Sequence, residues 1–186
     1  MKLSRIVVIA ISLVLSKAWA ADSELNYYQV LKSLQGNWKL APAKLQEGGA
    51  TKKGPAAKLL GTGKTAMSFK VIGKGSTVQE NLMPGTGMEM ATMYHCDNFN
   101  NCTQVKATHY CVKQNQPQFI LTPDNSSSNV VTMACDMSSS LCNSMDGHIH
   151  KITQELSPDG NHLTTTYTIF KDGKFQNNVI YHFVRQ

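Results

Sequence analysis

Hydrophobic and polar residues alternate with a period of two along most of the chain from residue 65 to the C-terminus. Such alternation predicts half-buried β-strands. Short segments rich in Gly, Pro, Asp and Asn separate the runs, for example Lys171-Asp172-Gly173, and these residues are typical of tight turns. We therefore predict strands over 65–72, 76–83, 88–96, 102–111, 117–122, 129–135, 147–156, 162–170 and 174–185.

The pattern differs before residue 65. Apolar residues recur at helical spacing within 22–35, and Gly36 follows them, which predicts a short amphipathic helix that ends at this glycine. A Gly-x-Trp at 36–38 then opens a first strand with Trp38. Residues 42–64 are rich in Gly, Lys, Ala and Pro, and they predict a flexible connection with one helical turn near 56–60.

About ten successive strands joined mostly by short turns are typical of an up-and-down antiparallel barrel. We therefore predict an all-β fold of this type with a short N-terminal helix. A closed barrel has no free sheet edge, and one of this size can enclose a ligand cavity. The structural alternative is a β-sandwich, which would require a longer crossing connection late in the chain, and the sequence shows none.

The first 20 residues predict a secretory signal peptide. Lys2 and Arg5 precede an apolar run over 6–15, and Ala18-Trp19-Ala20 provides the small residues typical of a cleavage site before Ala21. Residues 21–186 then form one barrel domain. We expect an exported protein, periplasmic or secreted, that is not membrane-spanning, because no later apolar segment has spanning length.

The charge of the chain excludes one class of partner. The formal net charge is +6, but removal of the predicted signal peptide takes away three of 18 basic residues and none of 12 acidic ones, leaving +3. Such a small excess does not indicate a nucleic-acid-binding protein.

The five cysteines indicate disulfides, since the protein is expected to be exported. Two pairs flank short turn-like segments, and we predict the bridges Cys96–Cys102 and Cys135–Cys142. Cys111 is then left unpaired. It is either a small buried hydrophobe or a thiol that reacts with or contacts a ligand.

The hairpin over 88–111 provides the sharpest chemical hint. If Cys96 faces Cys102 across the last pair before the turn, the register places His109 opposite Glu89 and turns the odd-numbered residues toward the interior. Tyr94 would then face solvent. Because titratable groups are seldom buried without a partner, we predict that His109 and Glu89 form the polar anchor of an interior pocket.

Several motifs resemble known proteins. The segment Leu-Gln-Gly-Asn-Trp at 34–38, placed after a helix, resembles the first strand of lipocalin and fatty-acid-binding (calycin) barrels. Thr-His-Tyr-Cys at 108–111, Asn-Gln-Pro at 115–117 and Gly-His-Ile-His at 147–150 resemble a group of uncharacterised secreted lipocalin-like proteins. The resemblance implies a barrel with an interior pocket and no established activity. The extra cysteines at 96, 102, 135 and 142 depart from that pattern.

These observations predict an exported protein that binds a small, partly apolar molecule inside the barrel. They identify neither the ligand nor a cofactor, and they leave the oligomeric state open. The candidate ligand-binding residues are Trp38, Glu89, His95, His109, Cys111, Asn115, Gln116, His148 and His150.

Three alternatives remain open. Four interior histidines with Glu89 would suffice for a zinc, copper or haem site. A hydrolase-like enzyme could use His109 and Cys111, but their spacing along one strand, about 6–7 Å, exceeds a hydrogen bond, and no Ser-centred elbow, paired carboxylate motif or dinucleotide fingerprint is present. An inhibitory or interaction module could act through its outer surface or its disulfide-closed loops.

Overall fold

The computed structural model describes residues 24–43, 55–98 and 100–186. In these residues ten antiparallel strands form a closed barrel in which each strand pairs with its neighbours in sequence and β1 also pairs with β10. This topology confirms the predicted up-and-down barrel. The strands are β1 Gly36–Leu40, β2 Thr65–Ile72, β3 Thr77–Leu82, β4 Met90–Cys96, β5 Val105–Tyr110, β6 Gln118–Leu121, β7 Val130–Cys135, β8 His148–Leu156, β9 His162–Lys171 and β10 Lys174–Arg185.

Two α-helices accompany the barrel in the described residues. Helix α1 covers 24–33, as the apolar spacing predicts, and α2, Pro55–Leu59, is the helical turn predicted in the first long connection. The predicted signal peptide and residues 44–54 lie outside the described residues. Neither of the described helices has the length and hydropathy needed to cross a membrane.

The two ends of the barrel differ. At the closed end, α1 packs beside the β2–β3 and β4–β5 connections. There the Glu24 carboxylate accepts the backbone N–H of Val105 at 2.8 Å, and the Tyr28 hydroxyl donates to the carbonyl of Gly75 at 3.3 Å. At the open end the β3–β4, β5–β6, β7–β8 and β9–β10 connections come together with the described part of the β1–β2 connection, which carries α2.

Trp38 joins α1 to the barrel. It does not line the ligand cavity, contrary to the prediction from the sequence. It is fully buried, and its indole N–H donates to the carbonyl of Leu34 at 2.9 Å. The Arg185 guanidinium lies 4.2 Å from the centre of its ring and donates to the carbonyls of Ser33, Gln35 and Gly160. The Gly-x-Trp is therefore a structural joint at the closed end.

The predicted register of the central hairpin is wrong by three residues. His109 pairs with Thr92, and the last pair before the turn is Cys96 with Val105. Because the shift is odd, it reverses the sides of β4 while β5 keeps the predicted ones. Tyr94 is consequently fully buried, whereas His95 is only half-buried.

The turn explains this register. The Asp97 carboxylate accepts the backbone N–H groups of Asn98, Thr103 and Gln104 at 2.9–3.0 Å and the hydroxyl of Thr103 at 2.5 Å. These bonds form a wide turn beyond the strand ends. Cys102 lies in this turn, so the disulfide closes a loop and does not join two paired strand residues. A carboxylate that organises its own loop is typical of Asp at such positions.

Both predicted cysteine pairs are confirmed. Cys96 is bonded to Cys102 and Cys135 to Cys142, and Cys111 is a half-buried free thiol. Each bond closes a short loop next to a strand end.

We predict that Arg185→Lys destabilises the protein by about 1–2 kcal/mol, because lysine keeps the charge but cannot stack on Trp38 or reach three carbonyls with one planar group. Urea denaturation measures the change. Lys39→Gln, at an exposed position on β1, is the control and should cost less than about 0.5 kcal/mol. Equal effects of both substitutions would contradict the role assigned to Arg185.

Candidate functional site

A pocket of about 190 Å³ lies at the open end of the barrel. Its walls are mostly aliphatic and aromatic, and the free thiol of Cys111 is part of them. The pocket therefore favours an apolar occupant. It is lined by Leu82, Met88, Met90, Cys111, Val112, Lys113, His148, Ile149, Tyr167, Ile169, Val179 and Tyr181.

A buried carboxylate lies within the barrel and reaches the pocket through Tyr167. Glu80 is fully buried and accepts hydrogen bonds from the hydroxyls of Tyr94 at 2.5 Å and Tyr167 at 2.6 Å. The Gln154 side-chain amide donates to it at 2.9 Å, and the hydroxyl of Thr92 at 3.3 Å. The two tyrosine distances are in the range of charge-assisted O–H···O bonds. The ring of Tyr167 also forms part of the pocket wall.

The donors to Glu80 come from the adjacent strand and from two strands that are remote in sequence. Tyr94 and Thr92 lie on β4, next to β3, whereas Gln154 lies on β8 and Tyr167 on β9. Gln154 is itself held by the hydroxyl of Thr165, which donates to its carbonyl oxygen at 2.6 Å. The network therefore connects opposite walls of the barrel across its interior.

The sequence analysis missed Glu80. A usable signal existed, because strict alternation in β3 places Glu80 on the side of Val78 and Leu82, which are both buried. A carboxylate between two apolar inward positions predicts a buried group that requires partners. The partners themselves follow only from closure of the barrel.

Burial sets the protonation of this network. It raises the pKa of the Glu80 carboxyl, and the four donated hydrogen bonds offset part of that effect. Burial first, and then the negative charge of Glu80, raise the pKa of Tyr94 and Tyr167 well above that of a free tyrosine. Both phenols therefore remain neutral donors.

His109 is the inward histidine that the sequence predicts, but its partner is not Glu89. It is fully buried, its Nδ1 lies 2.9 Å from the hydroxyl oxygen of Thr92, and its Nε2 has no hydrogen-bond partner among the described residues. When Thr92 donates to Glu80, the Nδ1–H of His109 is the donor to Thr92 and Nε2 carries the lone pair. Burial lowers the pKa of His109 to about 4, so the ring is neutral.

Other predicted residues lie apart from the interior. Glu89 is exposed and accepts the backbone N–H of Gly85 at 2.8 Å within the β3–β4 connection, so the predicted pairing with His109 is wrong. His95 contacts the carbonyl of Cys96 through Nδ1 at 2.9 Å. Gln116 is exposed. Neither His95 nor Gln116 lines the pocket.

Two predicted residues connect the loops of the open end. The Asn115 side-chain amide donates to the carbonyl of Gly147 at 3.1 Å, which joins the β5–β6 and β7–β8 connections. Its side-chain oxygen is buried, and no group in the described part of the chain forms a hydrogen bond with it. Cys111 lies on the pocket wall, with its sulfur 3.9 Å from that of Met90.

His148 and His150 lie together, but the predicted four-histidine site does not form. Nε2 of His148 is 3.1 Å from Nδ1 of His150, and the ring of His150 stacks on Phe170 with centroids 4.0 Å apart. In the described part of the chain, the one group of three or more metal-ligating side chains that converge consists of Cys135, His148 and His150. His95 and His109 are not in it.

The predicted enzymatic pair does not form either. The thiol of Cys111 contacts Met90, and His109 contacts Thr92, so the hydrogen bond between nucleophile and base that such chemistry requires is not made between these two residues. An apolar cavity lies above the Glu80 network, and Tyr167 belongs to both.

A comparison with protein-family models finds no match for this chain, and a comparison with curated proteins also finds none. The fold and the site therefore define a class only by structure: a closed ten-stranded antiparallel barrel with an apolar pocket at one end.

We predict that Glu80→Leu destabilises the protein by at least about 4 kcal/mol, because four buried donors lose their acceptor and each unpaired group costs about 1–3 kcal/mol. Urea denaturation at neutral pH measures the loss. Glu155→Leu, which removes an exposed carboxylate from β8, is the matched control and should change stability by less than about 0.5 kcal/mol. A Glu80→Leu protein as stable as the wild type would refute the network's structural role.

We also predict that His109→Asn flattens the loss of stability in acid. The pKa of His109 is about 4 in the folded protein and 6.5 ordinarily, so the unfolded chain takes up a proton first and wild-type stability falls as pH decreases from 6.5 to 4. Asparagine does not titrate. The wild type should lose about 1–3 kcal/mol more than the variant over this range.

Urea denaturation at several pH values measures this difference. His162→Asn, at an exposed position, is the control and should follow the wild type. Parallel stability curves for wild type and His109→Asn would show that His109 does not titrate as described.

Proposed function

We propose that this protein is an exported, lipocalin-like carrier or receptor that holds a small, mainly apolar molecule in the pocket at the open end of its barrel. The observation that carries the proposal is the 190 Å³ cavity, whose walls come from β3, β4, β8, β9 and β10. The two disulfides fit an oxidising compartment outside the cytoplasm.

The volume limits the ligand. A closed apolar cavity of about 150 Å³ holds one benzene ring. A cavity of about 190 Å³ thus accommodates a single ring or a short alkyl chain, and any further part of the ligand extends through the open end. Large lipids are excluded as fully enclosed ligands.

Tyr181 supports a polar end group on the ligand. It lines the pocket, and its contacts among the described residues are with the rings of Tyr167 and Phe183, which leaves the hydroxyl available as a donor. Burial raises the pKa of Tyr181, so the phenol stays neutral. Lys113 borders the same pocket and is exposed. A carboxylate or carbonyl oxygen suits both groups.

This assignment changes the anchor but keeps the class of function that the sequence predicts. Tyr181, which lies in the pocket wall, takes the role of polar anchor that the sequence analysis assigns to Glu89. His109 and Glu80 act below as a rigid polar layer that holds Tyr167 in place.

Cys111 allows a direct test, because it is the free thiol of the chain and lines the pocket. We expect benzoate and toluene to slow modification of Cys111 by a thiol reagent in a saturable manner. Val179→Trp fills the pocket and should weaken this protection at least about tenfold. Ile180→Trp, at the next position on β10 and outside the pocket, is the control and should not.

Tyr181→Phe separates the polar contact from the apolar ones. Loss of one hydrogen bond of about 0.5–1.5 kcal/mol should weaken protection by benzoate about two- to tenfold and leave protection by toluene unchanged. Modification rates that neither compound affects at any concentration would refute binding in this pocket.

A further inference from the structure

A second site lies beside the pocket, where β7 ends and β8 begins. It contains the Cys135–Cys142 disulfide and the His148–His150 pair. The nitrogens of both histidines and the sulfur of Cys135 lie within 4.8 Å of one another, and Cys142 is bonded to that sulfur. We propose that reduction of this disulfide creates a Cys2His2 site that binds one Zn²⁺ ion.

The backbone brings the two imidazoles together. The pairing of β8 with β9 shifts between Ile149 and Lys151, which makes His150 the extra residue of a β-bulge. Bulges redirect side chains from their regular alternation. Ile149 lines the pocket, while His150 stacks on Phe170 and faces His148.

A neighbouring carbonyl orients His148 as a metal ligand is usually oriented. Its Nδ1–H donates to the backbone oxygen of Asp146 at 2.7 Å, which leaves the lone pair on Nε2, the atom that faces His150. Ligating histidines in proteins commonly donate their second nitrogen to a carbonyl in this way. Nδ1 of His150 becomes a second ligand when its proton moves to Nε2 of the same ring.

The sulfur ligands require a reductant, and a dithiol is the chemical class that fits. The dithiol gives two electrons and two protons to the Cys135–Cys142 bond and becomes a disulfide itself. Zn²⁺ then displaces the two thiol protons and binds two thiolates and two imidazoles. Two protons are released, and the resulting site carries no net charge.

The geometry requires movement, above all of Cys142, whose sulfur does not belong to the group of ligand atoms that lie within 4.8 Å of one another. Zn–S bonds of about 2.3 Å and Zn–N bonds of about 2.0–2.1 Å place tetrahedral ligands about 3.3–3.8 Å apart. The histidine nitrogens are already 3.1 Å apart. The sulfurs must separate, and the 136–147 connection, which is composed of turns with many exposed residues, can move to permit this.

The other disulfide offers an internal comparison. Cys96 and Cys102 close a similar loop, but they belong to no group of three or more converging metal-ligating side chains among the described residues. Zinc binding that depends on reduction should therefore come from one cysteine pair and not from the other.

The test uses the full chain in two redox states. The protein is unfolded in guanidinium with a dithiol, freed of reductant under inert gas and refolded with Zn²⁺ or Co²⁺, and an oxidised sample is treated in parallel. After gel filtration we expect one metal equivalent in the reduced protein and none in the oxidised protein. Co²⁺ should add a thiolate-to-metal charge-transfer absorption.

Paired substitutions of the cysteines and of the histidines identify the ligands. Cys96→Ser/Cys102→Ser should keep the metal equivalent, whereas Cys135→Ser/Cys142→Ser should lose it. His148→Gln/His150→Gln should weaken metal binding by more than about 100-fold, since loss of outer partners alone costs about 10–100-fold.

Two results would overturn the site. One is a reduced, refolded wild type without metal, or a reduced chain that refolds neither with nor without Zn²⁺. The other is metal binding that survives Cys135→Ser/Cys142→Ser. A reduced chain that refolds only with Zn²⁺ supports the site when the Cys135→Ser/Cys142→Ser protein shows no such dependence.

Discussion

Burial of one carboxylate among neutral donors is the constraint that organises this barrel. Glu80 must be satisfied by neutral donors, and it receives them from β4, β8 and β9. These bonds form only if the registers of the intervening strands are correct, because a slip by one residue would turn a donor such as Tyr94 to the opposite face. The network therefore specifies one arrangement of the sheet, and it places the pocket, which Tyr167 helps to line, toward the open end.

The strands could be predicted from the sequence because their signal is local. Alternation and turn residues mark each strand, and loop-closing cysteines mark both disulfides. The register of the central hairpin could not be predicted in the same way. It depends on Asp97, whose carboxylate holds a wide turn, and this bonding is not visible in the spacing of Cys96 and Cys102. Because the register error is an odd number of residues, the prediction places the neighbours of Thr92 and Tyr94 inside the barrel and these two residues outside.

The candidate site was predictable only in part, because its contacts cross the barrel. His109 on β5 faces inward, and Cys111, directly after the end of β5, lines the pocket, as alternation along this segment indicates. The partner of His109 is Thr92, and behind it Glu80, and neither follows from local spacing. The β8 bulge adds a second limit, since it breaks the alternation that relates His150 to the rest of its strand. Sequence reasoning thus identified useful residue types but not their partners.

The two ends of the barrel have different roles. The closed end is fixed by Arg185, which bonds to carbonyls from α1 and the β8–β9 connection while stacking on Trp38. The open end carries α2 in the β1–β2 connection, and its β5–β6 and β7–β8 connections are joined by the Asn115–Gly147 hydrogen bond. Movement at that end disturbs few buried bonds, because the Glu80 layer lies below. Binding at that end, as proposed for the small molecule and for Zn²⁺, would leave the registers of the sheet intact.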